Sequence, residues 1–249
     1  MKRVFNFILA MVICTASAMA FEHEPAEGFS FMGLFGMNVS DLQSHPYNAK
    51  VGATLGFRAD YMLPKAHGTY VTAGLDWTMK GGRRTTTETL ATVAGGIDCD
   101  YTRKYTLHYL EIPVRLGFRY NPREEWGLYT EIGPYFAVGV GGCHKLSIDA
   151  DGNDARNVEG IETFGAFRKR VDIARQTFQR WDAGVSFRVG AEYGGHYNLL
   201  MGFDWGLADI YRNSLRDAYW ENKVQTTGVG ERLPKVNNFN FSLTVGYRF

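Results

Sequence analysis

The sequence lacks several features that would mark common classes of protein. Its charges nearly cancel, with 27 Lys and Arg against 26 Asp and Glu. Such a chain lacks the basic excess that neutralises nucleic-acid phosphates, so we expect no nucleic-acid partner. It also has no apolar run of about 20 residues and a mean hydropathy of −0.23, which argues against membrane-spanning helices.

The first twenty residues have the three parts of a secretory signal peptide. Lys2 and Arg3 give a positive start, and an apolar stretch from Val4 to Ala16 follows, too short for a permanent membrane helix. Small residues at Ala18 and Ala20 form the cleavage site. We expect residues 1–20 to be removed and residues 21–249 to form one domain. Losing Lys2 and Arg3 leaves 25 basic against 26 acidic residues, a net charge of −1.

Eight segments of the mature chain alternate between apolar and polar or glycine positions. Strict alternation with a period of two predicts β-strands that bury one face in an apolar medium. In the last segment, Phe241, Leu243 and Val245 alternate with Ser242 and Thr244. The segments are 29–39, 49–63, 69–79, 105–120, 126–141, 181–194, 197–208 and 238–249.

Three further patterns indicate that the apolar face meets lipid rather than the inside of a soluble barrel. The segments are long enough for tilted membrane strands. The polar face is rich in glycine, which suits the crowded interior of a small barrel. Aromatic residues gather at the ends of the segments in two rings, as at membrane interfaces. One ring would hold Tyr61, Tyr120, Trp126, Tyr193, Tyr197 and Tyr247, and the other Trp77, Trp181, Trp205 and Phe239.

The connections alternate in length, which is typical of barrels with short periplasmic turns and long outer loops. Pro64–Gly68, Asn121–Glu125 and Gly194–His196 are short. The predicted long loops are 40–48, 80–104, 142–180 and 209–237. The sequence therefore predicts an all-β, up-and-down antiparallel transmembrane β-barrel of eight strands in the outer membrane of a Gram-negative cell.

Several strand motifs resemble the PorT-like outer-membrane β-barrel family of Bacteroidota. They are Gly36–Ser40, the run Tyr109–Tyr120, the stretch from Arg180 to Leu207, and the closing run Phe241–Phe249. The resemblance implies a fold and a location more than an activity, because its motifs are strand patterns. It also implies a possible association with protein secretion.

Two short features carry specific expectations. An aromatic pair at Tyr247 and Phe249 resembles the signal by which the barrel-assembly machinery recognises its precursors, through strand addition with aromatic anchors. Cys99 and Cys143 are the only mature cysteines. Counting outward from the turn 121–125 brings them within a few residues of register, so a disulfide is expected, with two free thiols as the alternative.

The polar face carries eleven charged residues that would line the barrel interior. Because single charges in a narrow interior are costly, we expect them to pair into a ladder that closes the lumen, with an ion path as the alternative. They are Arg58, Asp60, Asp76, Glu111, Arg115, Arg119, Glu131, Arg188, Glu192, Asp204 and Arg248.

No catalytic or metal-binding set stands out. The six histidines make no metal set, and we expect no cofactor. His108 and His144, with Ser147 and Asp149 nearby, could serve a rim enzyme acting on lipid, but nothing fixes them in catalytic geometry. The sequence favours a non-enzymatic barrel with a structural or surface-interaction role, in contact with outer-membrane lipid and an extracellular ligand or secretion-system partner of unknown identity. A small pore or transporter is the alternative.

Overall fold

The computed structural model describes residues 28–42, 48–92, 95–150, 153–162, 178–210 and 235–249. The described residues form nine strands. They are β1 (Gly28–Leu42), β2 (Lys50–Met62), β3 (Thr69–Thr92), β4 (Gly95–Arg123), β5 (Trp126–Ala150), β6 (Asn153–Glu162), β7 (Trp181–Tyr193), β8 (Tyr197–Gly206) and β9 (Asn238–Arg248). These ranges contain no helix with the length and apolar character needed to cross a membrane.

Eight of the strands close into a barrel. Every pairing is antiparallel, and β1 pairs with both β2 and β9, while β4 also pairs with β5. The ring therefore runs β1-β2-β3-β4-β5-β7-β8-β9 and returns to β1. This confirms the predicted eight-stranded antiparallel barrel. Among the described strands, β6 pairs only with β5 and stands outside the ring.

The apolar phase of each strand faces outward. On β8, Tyr197 is 65 % exposed and Phe203 43 %, whereas Leu200 and Asp204, at positions of the opposite phase, are 0 % and 2 % exposed. A barrel that exposed this much apolar surface to water would be unstable, whereas lipid provides the apolar medium that the alternation requires. The predicted assignment of the apolar face to the outside is therefore the one that the barrel adopts.

The two ends of the barrel differ in the length of their connections. At one end, which we call the turn end, tight turns join β2 to β3, β4 to β5 and β7 to β8. The last of these uses Gly194 and Gly195 with φ of 59° and 73°, a left-handed conformation that favours glycine. We call the opposite end the extended end, because β3, β4 and β5 continue there well past their neighbours.

Two predicted long loops contain long strand segments among the described residues. Residues 80–104 were expected to be a loop, but β3 and β4 stay paired from Lys80 opposite Leu107 to Thr92 opposite Gly95. Likewise, part of 142–180 continues β5 to Ala150 and adds β6, while residues 151–152 and 163–177 lie outside the described residues. The expectation failed because apolar alternation ends where lipid ends, whereas threonine-rich segments such as Thr85–Thr87 still favour extended structure.

Both predicted aromatic rings lie on the outer face. At the turn end, the register pairs Trp126 with Tyr193, Tyr193 with Tyr197 and Tyr197 with Tyr247. Tyr197 and Tyr247 meet edge to face with ring centroids 5.7 Å apart. On β8, eight residues, or roughly 27 Å of strand, separate Tyr197 from Trp205 of the second ring. Allowing for strand tilt, this spacing matches the apolar band of an outer-membrane barrel.

Candidate functional site

The charged residues of the polar phase lie inside the barrel. All eleven predicted positions are buried: Arg58, Asp60, Asp76, Glu111, Arg115, Arg119, Glu131, Arg188, Glu192, Asp204 and Arg248. Lys80 and Asp182, which are 0 % and 2 % exposed, join them. Lys80 was missed because it falls at the start of the segment expected to be a loop, although it continues the phase of Asp76 and Thr78.

The middle of the lumen is organised around one carboxylate. The carboxylate of Glu131 on β5 lies 3.1 Å from the guanidinium of Arg58 on β2 and 3.6 Å from that of Arg115 on β4. The hydroxyl of Tyr70 donates a hydrogen bond to the same carboxylate at 2.9 Å. We call these four residues the central cluster. Partners from three other strands satisfy Glu131 and cross-link opposite walls of the barrel.

A second ion pair, beside the central cluster, links two adjacent strands. Arg188 Nη1 of β7 donates to Asp204 Oδ1 of β8 at 2.7 Å. The other oxygen of Asp204 accepts a hydrogen bond from the Asn240 amide at 2.9 Å, and Asn240 Oδ1 in turn accepts one from Asn38 at 2.7 Å. The network thus runs from β7 across β8 and β9 to β1.

Towards the extended end, one lysine forms ion pairs with two carboxylates. Lys80 Nζ lies 2.6 Å from Glu111 and 3.8 Å from Asp182. The same ammonium lies 4.6 Å from the centroid of the Tyr135 ring and 5.6 Å from that of Tyr109, within the range of cation–π attraction. Because the lysine is fully buried, these contacts compensate for its lost hydration.

At the turn end, two arginines contact the same carboxylate. Glu192 Oε2 lies 2.8 Å from Arg248 Nε and 3.3 Å from Arg119 Nη2, and Arg248 Nη1 also contacts Asp60 at 2.8 Å. The Arg119 guanidinium stands 5.6 Å from the ring centroids of both Tyr70 and Tyr129. All four charged groups line a cavity of about 270 Å³ at the turn end. Its volume and the four charged groups on its wall suit ordered water.

Glycines on the luminal face make room for tyrosine rings. Tyr70 is paired with Gly117 and Tyr129 with Gly190. A Cβ atom added to either glycine would overlap the ring of its partner. The glycine-rich phase that the sequence shows is therefore needed where large rings cross a narrow lumen.

The extended end of the lumen is filled by apolar side chains. Tyr105 meets Phe178 edge to face at 5.2 Å. Backbone hydrogen bonds hold the flanking segments together, with the Gln179 amide donating to Ile210 O at 2.7 Å and the Ile210 amide to Val236 O at 2.9 Å. We call this set the apolar cluster. The apolar cluster consists of nine buried residues: Leu42, Tyr105, Leu107, Tyr109, Tyr135, Ala137, Phe178, Ile210 and Val236.

The predicted disulfide is wrong for this structure. The register pairs Cys143 with Thr106 and Cys99 with Ala150, so the two cysteine positions are offset by seven residues. That offset is roughly 24 Å of strand, far beyond the Cα separation of about 7 Å that a disulfide allows. Cys143 is a free thiol. The register differs from the simple count because β4 and β5 already pair at Arg123 and Trp126, so the turn is centred beyond the middle of 121–125. The two bulges, at Tyr120/Arg123 and His108/Tyr109, shift the register by one residue in opposite directions and cancel.

The remaining predicted sites lie elsewhere. Ala18 and Ala20 fall outside the described residues. Tyr247 and Phe249 lie on the outer face with ring centroids 5.4 Å apart, and the Phe249 amide donates to Phe31 O at 2.9 Å. The register pairs His108 with Gly141 and His144 with Tyr105, so the two histidines are not opposite each other.

Comparison with known families now identifies the class of protein. Residues 21–212 match the family described as the outer membrane protein beta-barrel domain. This chain belongs to that family. The match covers most of the chain and assigns the barrel to the outer membrane, whereas the finer PorT-like family is not distinguished by it.

Solved barrels are similar to this chain at low identity. Neisserial surface protein A has 12% identity and a TM-score of 0.40 over 89% of this chain and 98% of its own. OprG from Pseudomonas aeruginosa has 12% identity and a TM-score of 0.38, over 92% and 99%. Ail of Yersinia pestis, in complex with the heparin analogue sucrose octasulfate, has 14% identity and a TM-score of 0.34, over 90% and 100%. None of the curated proteins matches the sequence.

Proposed function

We propose that this protein is a non-enzymatic outer-membrane barrel of a Gram-negative cell, with a closed lumen and a surface-interaction role at its extended end. The observation that carries the closed lumen is the apolar cluster. Leu107 and Ile210 are 0 % exposed and Phe178 2 %, and buried apolar side chains offer a hydrated ion no replacement for the water it would lose.

The paired charges of the lumen support the same proposal. An ion path needs fixed charges whose partners are the passing ions, whereas Glu131, Lys80 and Arg248 already contact oppositely charged groups on other strands. Interactions of this kind rigidify a barrel of eight strands, whose interior is just wide enough for its own side chains.

Electrical recording tests the closed lumen. Purified full-length protein reconstituted in planar bilayers should give no stepwise current. A variant that replaces Phe178, Ile210 and Val236 by serine should raise the current, because it exchanges the apolar seal for small polar side chains. Regular current steps from the unaltered protein would favour the alternative of a small pore.

The surface role is supported by the paired strands beyond the outer aromatic ring. On β3, the pairing with β4 runs fifteen residues past Trp77, to Thr92. This ordered sheet costs conformational entropy that the lipid-embedded part does not require, and rigid projections from a barrel are where partner contacts concentrate.

Shortening this hairpin tests the surface role. Residues 86–101 would be removed and Thr85 joined to Thr102 through an Asn-Gly turn, which suits an in-register hairpin. In a deletion strain, the full protein should restore the envelope and surface-binding phenotypes. The shortened protein should assemble equally well but fail to restore them. Full restoration by the shortened protein would contradict a surface role for the hairpin.

The PorT-like resemblance motivates one alternative, a barrel associated with protein secretion. Its motifs, such as Tyr109–Tyr120, lie mainly in barrel strands, so they bear on the fold more than on this role. A deletion strain whose secreted proteins are unchanged would argue against it. A rim enzyme acting on lipid would require His108 or His144, and lipid turnover that survives substitution of both would exclude that role.

A further inference from the structure

The outward faces of β3, β4 and β5 carry a basic row just beyond the apolar band. The register places Arg83 directly opposite Lys104, and Lys104 directly opposite Lys145. All three side chains are exposed. Directly paired residues share a face of the sheet, so the row presents three positive charges side by side. Its members are 21 and 41 residues apart in the chain, and only the barrel register unites them.

The basic row lies just past the edge of the apolar band that contacts lipid tails. Along β3, the outward positions Leu75, Trp77 and Met79 are apolar, Gly81 follows, and Arg83 is the first charge. The distance from Met79 to Arg83 is roughly 14 Å of tilted strand. An arginine or lysine side chain reaches back several ångströms from its Cα. The basic groups therefore stand where the polar headgroup layer begins.

The arrangement itself favours an anionic occupant. Like charges directly opposite on neighbouring strands destabilise a sheet, and an anion between them would remove that repulsion. Arg83 is held in place, because its backbone amide and carbonyl both hydrogen-bond to Asn48, at 3.0 Å and 2.6 Å. Hydroxyl groups of Thr85 and Thr102, 3.1 Å apart on the next row, add neutral hydrogen-bonding groups.

We infer that the basic row binds phosphate groups of outer-leaflet lipid headgroups. Arg83 supplies a planar donor fork suited to phosphate, and Lys104 a compact positive charge beside it. Lys145 has the smaller part, because it stands on β5 at the end of the row, one strand farther from Arg83 than Lys104 is. The inference requires the extended end to face outward but does not depend on a closed lumen.

Native mass spectrometry of the full-length barrel in neutral detergent can test this inference. Phosphatidic acid, which carries a terminal phosphate, is titrated against phosphatidylcholine. The unaltered protein should retain phosphatidic acid preferentially. R83Q/K104Q should weaken its apparent Kd about tenfold, the equivalent of one strong charge-assisted hydrogen bond, and K145Q should weaken it less.

The matched control is K65Q/R123Q, which removes two exposed basic residues at the turn end and should leave the affinity unchanged. The shift in gel mobility on heating reports that each variant is folded. Equal affinity of R83Q/K104Q and the unaltered protein would overturn the inference, as would an equal loss in the control. Displacement of the lipid by an equal concentration of inorganic phosphate would indicate a soluble-anion site and reject a lipid one. If the barrel conducts ions in planar bilayers but still prefers phosphatidic acid, the closed lumen is refuted and the inference stands.

Discussion

The two ends of the lumen solve the same packing problem with different chemistry. At the extended end, apolar side chains such as Leu107 and Ile210 pack together in a buried cluster. At the turn end, Asp60, Glu192 and Arg248 border a cavity of about 270 Å³. A polar group buried among apolar side chains has no substitute partner, whereas one beside a polar cavity can exchange a lost protein contact for water. Tolerance to substitution should therefore differ between the ends.

The largest loss is expected where water cannot replace a partner. Glu131→Gln keeps the size of the side chain but leaves Arg58 and Arg115 without their shared negative charge. We expect the free energy of unfolding to fall by about 3–5 kcal/mol, as for a broken buried ion pair. Urea titration of the barrel in lipid vesicles, followed by tryptophan fluorescence, would measure it.

The turn end offers a matched comparison for this substitution. Glu192→Gln also faces two arginines, but its surroundings open onto the cavity, so the expected loss is about 1 kcal/mol. Equal losses at Glu131 and Glu192 would show that the cavity does not supply replacement partners.

The next comparison introduces an asparagine side chain at each end of the lumen. Leu107→Asn buries an unpaired amide in the apolar cluster and should cost about 3 kcal/mol. Met62→Asn places the same group at the cavity wall, where water can reach it, and should cost about 1 kcal/mol. The same urea titration measures both, and a larger loss at Met62 would reverse the comparison.

The last comparison tests the packing of an aromatic ring inside the lumen. Gly117→Ala forces the Tyr70 ring to move and should cost about 1–3 kcal/mol, the range for overpacking. Gly141→Ala is the control, since an added Cβ there meets no atom within 4 Å. The difference in thermal unfolding midpoint between the two variants would be the measurement, and equal midpoints would mean that the ring yields freely.

The strands within lipid were predicted accurately because the solvent imposes the pattern. Lipid on one side and a packed polar interior on the other force alternation, so β7 at Trp181–Tyr193 and β8 at Tyr197–Gly206 nearly match their expected segments. Beyond the lipid both faces are polar, the contrast disappears, and the extensions of β3 and β4 were taken for a loop. Lys80 was lost from the interior set for the same reason.

The sequence by itself determined the barrel, its number of strands, the face that meets lipid and the interior charges within the lipid-embedded strands other than Asp182, because each follows from a local period of two. Only the tertiary structure decided which interior groups pair, since Glu131 meets Arg58 across 73 residues of chain. It also separated Cys99 from Cys143, gathered Phe178, Ile210 and Val236 into one seal, and aligned Arg83 with Lys104. These contacts depend on strand register and bulges, and a period of two is unchanged when a strand slides by two residues.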